Sequence, residues 1–186
     1  MKHEESFDRF VAIEGTIVSQ GFECWGSCAA ASLCAHEEVR DMCAADRCRS
    51  YGRNWACPPT CGSLERFRAL FTSFDACIVF QTVATLEDDF DIETMTRAES
   101  LHKQRTLNMC RTLSSQGFGK DTIVLGAGTC TLCSPCAFPD PCRHPAQRIV
   151  SMEAAGLVVT ETCEAACIPY YHGLHTIAYS GCLLVR

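Results

Sequence analysis

With sixteen cysteines in 186 residues, a formal charge of −6 and 47 % hydrophobic residues, those cysteines included, the chain is acidic and has a modest core. That charge argues against non-specific nucleic-acid binding, and no apolar run approaches the ~18 residues of a membrane span. The opening MKHEESFDRFVAIEGTIVSQ carries early acidic residues and no apolar run before a cleavage site, so no secretory leader is expected. The expectation is a cytoplasmic chain whose clustered cysteines bind metal instead of pairing as disulfides.

Residues 1–62 hold seven cysteines and little strand pattern. Ala29–Ala45 (AAASLCAHEEVRDMCAA) is rich in helix formers and lacks Gly and Pro, which predicts a helix leading into a cysteine loop closed by Pro58-Pro59. A helix over Ser63–Phe74 follows, with Ser63 as its N-cap. Ala76–Val83 (ACIVFQTV) reads as a buried strand, and the acidic 86–91 segment as a solvated connector. Ile92–Gln116 reads as a long amphipathic helix with Ile92, Met95, His102, Met109, Cys110 and Leu113 on one face, ended by Gly117 and Gly119. Thr122–Ala127 is a second strand. Pro145 suits the start of a helix to Ala155 capped by Gly156, and Leu157–Thr160 a third strand. Thr176–Tyr179 and Cys182–Val185 give one or two more.

The expected fold is α/β: a small, partly parallel sheet flanked by helices, with cysteine-rich metal-binding loops and a mainly helical N-terminal segment. The division is residues 1–62, carrying a first cysteine motif, and 63–186, carrying a second, packed as one compact domain. In such sheets sites form at the carboxyl ends of strands, where the second motif falls.

That second motif is Cys130-x2-Cys133-x2-Cys136-x5-Cys142, with Pro145 close behind. Three thiolates two residues apart and a fourth from a short loop can wrap a cubic [4Fe-4S] cluster. The spacing is near that of a bacterial ferredoxin run, though the last gap is longer and the proline later. A four-cysteine zinc knot, the alternative, usually comes as two separated C-x2-C knuckles. The first motif is Cys43-x4-Cys48-x8-Cys57-x3-Cys61. Its gaps are wider, and Cys24, Cys28 or Cys34 could replace one member. Tyr51, Gly52 and Trp55 inside the loop would shield a cluster from water or anchor the loop by packing. Arg40, Arg47, Arg49 and Arg53 crowd the first group, and Arg143, His144 and Arg148 the second. They either answer the negative charge of thiolate-bound clusters or are ordinary surface charges.

The combination C-x4-C-x2-YG-x2-W-x-CPP with GTCTLCSPC, PCRHP and SMEAAG resembles an uncharacterised cysteine-rich family of predicted metal-binding proteins (domain of unknown function 2284) over roughly residues 38 to 160. The resemblance implies metal binding through Cys43, Cys48, Cys57, Cys130, Cys133, Cys136 and Cys142, with iron–sulfur chemistry in largely anaerobic microbes; it implies no settled reaction. Cys61 is kept as an eighth ligand because its spacing suits chelation.

Three other groups draw attention. Glu153 could hydrogen-bond a cluster loop, act as an acid near a substrate, or be a structural carboxylate. Cys163-x3-Cys167 with His172 and His175 has ligand-like spacing. Cys77, Cys110 and Cys182 lie in core elements, where thiols pack as small hydrophobes. No dinucleotide fingerprint, P-loop or nucleophile elbow is present. The expected function is an iron–sulfur protein with one or two [4Fe-4S] clusters acting in electron transfer. The alternatives are an iron–sulfur enzyme or reductive activator with an open iron position, and a zinc-binding structural or interaction module. The sequence names neither a redox partner protein nor a small-molecule substrate.

Overall fold

The computed structural model describes residues 2–186, with side chains from Arg9 onward. Its centre is strand β2, Ala76–Thr85. A run with apolar side chains on both faces belongs in a sheet covered on both sides, and Cys77 to Thr82 are all buried. β2 pairs antiparallel with β1 (Cys24–Ala29) and with β5 (Thr176–Val185). β5 pairs antiparallel with β3 (Thr122–Gly126), which lies parallel to the short β4 (Val150–Ser151). The order is β1-β2-β5-β3-β4, an α/β fold with a mixed, partly parallel sheet. The C-terminal strand pattern resolves into one strand, β5.

Alternation along the strands sorts the side chains into two cores. Ile78, Phe80, Leu183 and Val185 pack with Ile13, Ile17, Met109 and Leu113 of helices α1 (Lys2–Ser19) and α4 (Ile92–Ser115). On the other side Cys77, Val79, Cys182 and Leu184 join a second cluster. It includes Phe67 and Phe71 of α3 (Leu64–Thr72) and Cys163 of α5 (Val159–Ala165).

Helix caps follow local chemistry. The Ser63 side chain accepts from the Arg66 N–H at 3.3 Å, and that of Asp91 from the Thr94 N–H at 3.0 Å. Gly117, at φ +89°, lets the chain leave α4. Along α4, His102, Met109 and Leu113 are buried as expected, but Ile92 is 64 % exposed. It is the first residue of α4, about one and a half turns before the buried stripe begins at Ala98.

Three expected elements differ. Ala29–Ala45 is not one helix, and the first 62 residues do contain a strand. β1 ends at Ala29, a 3-10 turn covers Ala30–Ser32, and α2 is confined to Glu37–Ala44. Pairing of Cys24–Ala29 with β2 overrides the helix propensity of the alanine-rich stretch. Pro145–Ala155 forms no helix. Val150 and Ser151 pair with Leu125 and Gly126, and Met152 N–H donates to the Gly126 carbonyl at 2.9 Å. Gly156, at φ +88°, closes a turn there. Leu157–Thr160 is not a strand: Leu157 alone bridges to Ala35, and α5 begins at Val159. The β-branched Val-Val-Thr run suggested a strand, yet Thr162 and Cys163 are buried helical residues. The segment after them lies against β1 at Gly26, where there is no side chain to hold it off.

β2 and β3 are both antiparallel to β5, so they run the same way, and β4 runs with them. The carboxyl ends of β3 and β4 therefore emerge side by side. β3 runs into Cys130 and β4 into Glu153.

Candidate metal centre

Beyond β3 the backbone turns at Gly128, at φ +63°, and enters the Cys130 loop. The Cys130 carbonyl accepts a hydrogen bond from Asn54 Nδ2 at 3.2 Å. Asn54 belongs to the first cysteine loop, where its Oδ1 accepts the Ala56 N–H at 2.9 Å. The Thr60 hydroxyl lies 2.7 Å from the Asn54 carbonyl and 2.8 Å from that of Cys57. The indole N–H of Trp55 donates to the Asp140 carbonyl at 2.8 Å, and its ring meets Phe138 edge-on at 5.2 Å. The first cysteine loop is thus docked on the second by a side-chain amide and an indole. Of the two readings of Trp55, its anchoring contacts are visible here. Asn54 carried no signal in the sequence beyond its place between the cysteines.

The thiols respond to one another. Cys57 is pushed up to about 12, by burial first and then by the charges that Cys48, Cys61, Cys43 and Cys130 would carry. Burial also raises Cys43, with Arg40 opposing it and Glu153, Cys48 and Cys61 adding to it. Cys61 is raised by burial against the pull of Arg40, its own backbone N–H, Arg148 and Arg66. Cys130 is raised by burial and by Cys133, Cys142 and Cys136, against a hydrogen bond from the Leu132 N–H. The charges that act on Cys57 and Cys130 thus come mainly from cysteines of their own loops, and Cys57 also feels Cys130 of the other loop. Cys136 differs. Burial pushes it up, but the backbone N–H groups of Phe138, Trp55 and Ala137, together with Arg143, outweigh that and hold it below its ordinary value.

Among the described residues, no three His, Cys, Asp or Glu side chains close around one point as a single ion requires. The donor chemistry fits a soft, thiolate-bound group: eight thiols in two motifs, with backbone N–H groups aimed at the Cys136 sulfur. Beside Cys43, Glu153 Oε2 and Arg40 Nε are buried without a hydrogen-bond partner, as polar atoms awaiting a bound group would be. Because burial favours the protonated thiols of Cys43, Cys57, Cys61 and Cys130, binding a metal through them must release protons.

The other candidates disperse. Cys163 and His172 both hydrogen-bond the side chain of Gln81, at 3.5 Å and 2.8 Å, while Cys167 is exposed and His175 pairs with Asp89 at 3.3 Å. Cys77 and Cys182 are fully buried core thiols. Cys110 is partly buried, and its surroundings push it up to about 11, mainly by desolvation. No helix among the described residues is long and apolar enough to cross a membrane.

A family model described as "Predicted metal-binding protein" (DUF2284) matches residues 27–185. No curated protein and no solved structure matches the chain. The match takes in both cysteine loops and runs well beyond the stretch whose motifs carried the resemblance, to the end of β5. By that coverage the chain belongs to this family of predicted metal-binding proteins.

Proposed function

We propose that the chain holds two [4Fe-4S] clusters, one on Cys130, Cys133, Cys136 and Cys142 and one on the Cys43 loop, and that it transfers electrons. The observation that carries this reading is the docking of the two loops through Asn54 to Cys130 and Trp55 to Asp140. Loops joined in this way keep two redox groups at a fixed separation, as relay of electrons between them requires. Such clusters supply reversible one-electron storage when bound. The chain's own residues tune that capacity. The backbone N–H groups at Cys136 favour its thiolate, and hydrogen bonds to sulfur are one lever on potential. Trp55 and Phe138 pack edge-on where the two loops meet. Arg40 and Arg143 set positive charge beside Cys43 and Cys136.

The test is iron, zinc and acid-labile sulfide content, with the visible spectrum, on protein purified without oxygen. The expected result is a brown protein with about eight iron and eight sulfide per chain. About four iron would confine the cluster to the Cys130 loop. A colourless protein holding zinc would replace the redox reading with that of a structural zinc module.

A further inference from the structure

Cys43, Cys48 and Cys57 line one cavity of ≈ 330 Å³ at the carboxyl end of β4. Its wall also includes Glu153, Glu99 and Ser151, but not Cys61. Cys61 is 4 % exposed, belongs to the hydrophobic core with Leu64, Phe67 and Ala154, and sits 3.7 Å from the Ala154 carbonyl, to which its S–H donates. It behaves as a packed thiol with a partner.

The two carboxylates of this wall differ. Glu99 is committed to Lys103, its Oε1 lying 2.6 Å from Nζ. Glu153 has a buried Oε2 with no partner. A carboxylate oxygen removed from water without a compensating bond costs free energy, so its placement calls for something to bind it. Its backbone is fixed: Glu153 lies two residues past the end of β4, its carbonyl accepts the Gly156 N–H at 2.9 Å, and the neighbouring Ala154 N–H donates to Ser151 Oγ at 3.0 Å. The side chain is therefore presented to the cavity by a closed turn.

We propose that Glu153, not Cys61, is the fourth ligand of the first site, which becomes a three-cysteine, one-carboxylate site of Cys43, Cys48, Cys57 and Glu153. This rests on the iron–sulfur reading above. A carboxylate is a harder and more readily displaced ligand for iron than a thiolate. The iron that Glu153 holds is then the exchangeable corner, the position at which a small oxygen or sulfur donor ligand would enter. The second site, with its four cysteines, has no such corner. The division gives the chain one site for storing electrons and one able to meet a substrate.

The experiment compares anaerobically purified wild type with Cys43→Ser, Cys61→Ala and Glu153→Ala, reading iron and sulfide per chain, and the paramagnetic resonance spectrum after mild oxidation. The expected wild type holds about eight iron. Cys61→Ala keeps that number, while Glu153→Ala loses about one iron and gives the signal of a three-iron cluster. Glu153→Cys restores the lost iron. Where Cys61→Ala does not fold, Mössbauer spectroscopy of wild type decides, with one iron distinct from the thiolate-bound remainder expected. The proposal is overturned if Glu153→Ala retains all the iron, if Cys61→Ala loses as much as Cys43→Ser, or if the wild-type irons are all alike. A wild type without iron and sulfide overturns the iron–sulfur reading as well, and does so before any variant is made, so the two failures are told apart.

Discussion

Asn54 Nδ2 donates to the carbonyl of Cys130 across 3.2 Å, tying a buried side chain of the first cysteine loop to the backbone of the second. The same side chain accepts the Ala56 N–H, so Asn54→Ala strands a donor and an acceptor at once. Leaving such groups unpaired costs about 1–3 kcal/mol each. Asn54→Ala is expected to lower the urea midpoint accordingly and to speed the loss of metal from the Cys130 loop to a chelator. An unchanged chelation rate would show that the loops hold their metal independently.

The surplus cysteines predict a pattern of reactivity. Cys28 and Cys77 face each other across β1 and β2. The Cys77 thiol is raised by its hydrogen bond with Cys182 and by burial, and the Cys28 thiol by its hydrogen bond with Cys77 and by burial. The thiolate is the nucleophile, so these sites are doubly protected, by access and by ionisation. Among these surplus cysteines of the folded protein, iodoacetamide with peptide mapping should label exposed Cys34 and Cys167 first and leave Cys77 and Cys182 untouched. Early labelling of Cys77 would mean that the sheet opens.

The sequence showed the donors and most elements but not their meeting. β2, α3, α4 and β3 were legible because each depends on local signals: a continuous apolar run, a Ser63 cap, a period near 3.6, a Gly117 stop. β1 was not legible, since CWGSCA alternates small residues whose strand character comes only from pairing with β2. β4 and α5 were read in each other's style, because the two-residue pairing of Val150–Ser151 and the packing of α5 on β1 are both long-range. At the centre, cysteine spacing pointed to two motifs. That Asn54 and Trp55 fasten one to the other depends on side chains about 76 and 85 residues from their partners, a separation no local pattern carries.

His102 makes stability depend on pH. It is wholly buried between Phe22 and Phe80, with Thr82 at 3.2 Å from Nδ1. Burial, then the charges of Arg105 and Lys103, push it down to about 3 from its ordinary 6.5. The folded state therefore keeps His102 neutral while the unfolded chain takes up a proton below about pH 6.5. The contribution is fully present above that pH and is lost progressively as pH falls toward 3, where the folded form would also protonate. Between pH 7 and 5 the loss from this residue is about 2 kcal/mol. His102→Gln, which can still reach Thr82, should flatten that part of the stability curve in chemical unfolding. An equal slope in both proteins would remove His102 as the cause.

Two glycines should respond to the same substitution with opposite signs. A Cβ on Gly26 would run into the carbonyl of Ala166 and lie 2.6 Å from Ile168 Cγ2, so β1 and the end of α5 could not keep their approach. The obstacle is backbone, which cannot swing aside, and overpacking typically costs about 1–3 kcal/mol. Gly15 is exposed within α1 and has nothing within 4 Å of its added Cβ. There alanine removes chain entropy from the unfolded state and raises helix propensity, a gain of about 0.5–1 kcal/mol. Urea midpoints for Gly26→Ala and Gly15→Ala should move in opposite directions from wild type. A Gly26→Ala protein as stable as wild type would mean that α5 does not rest on β1 at this point, and with it would go the reason why Leu157–Thr160 fails to form a strand.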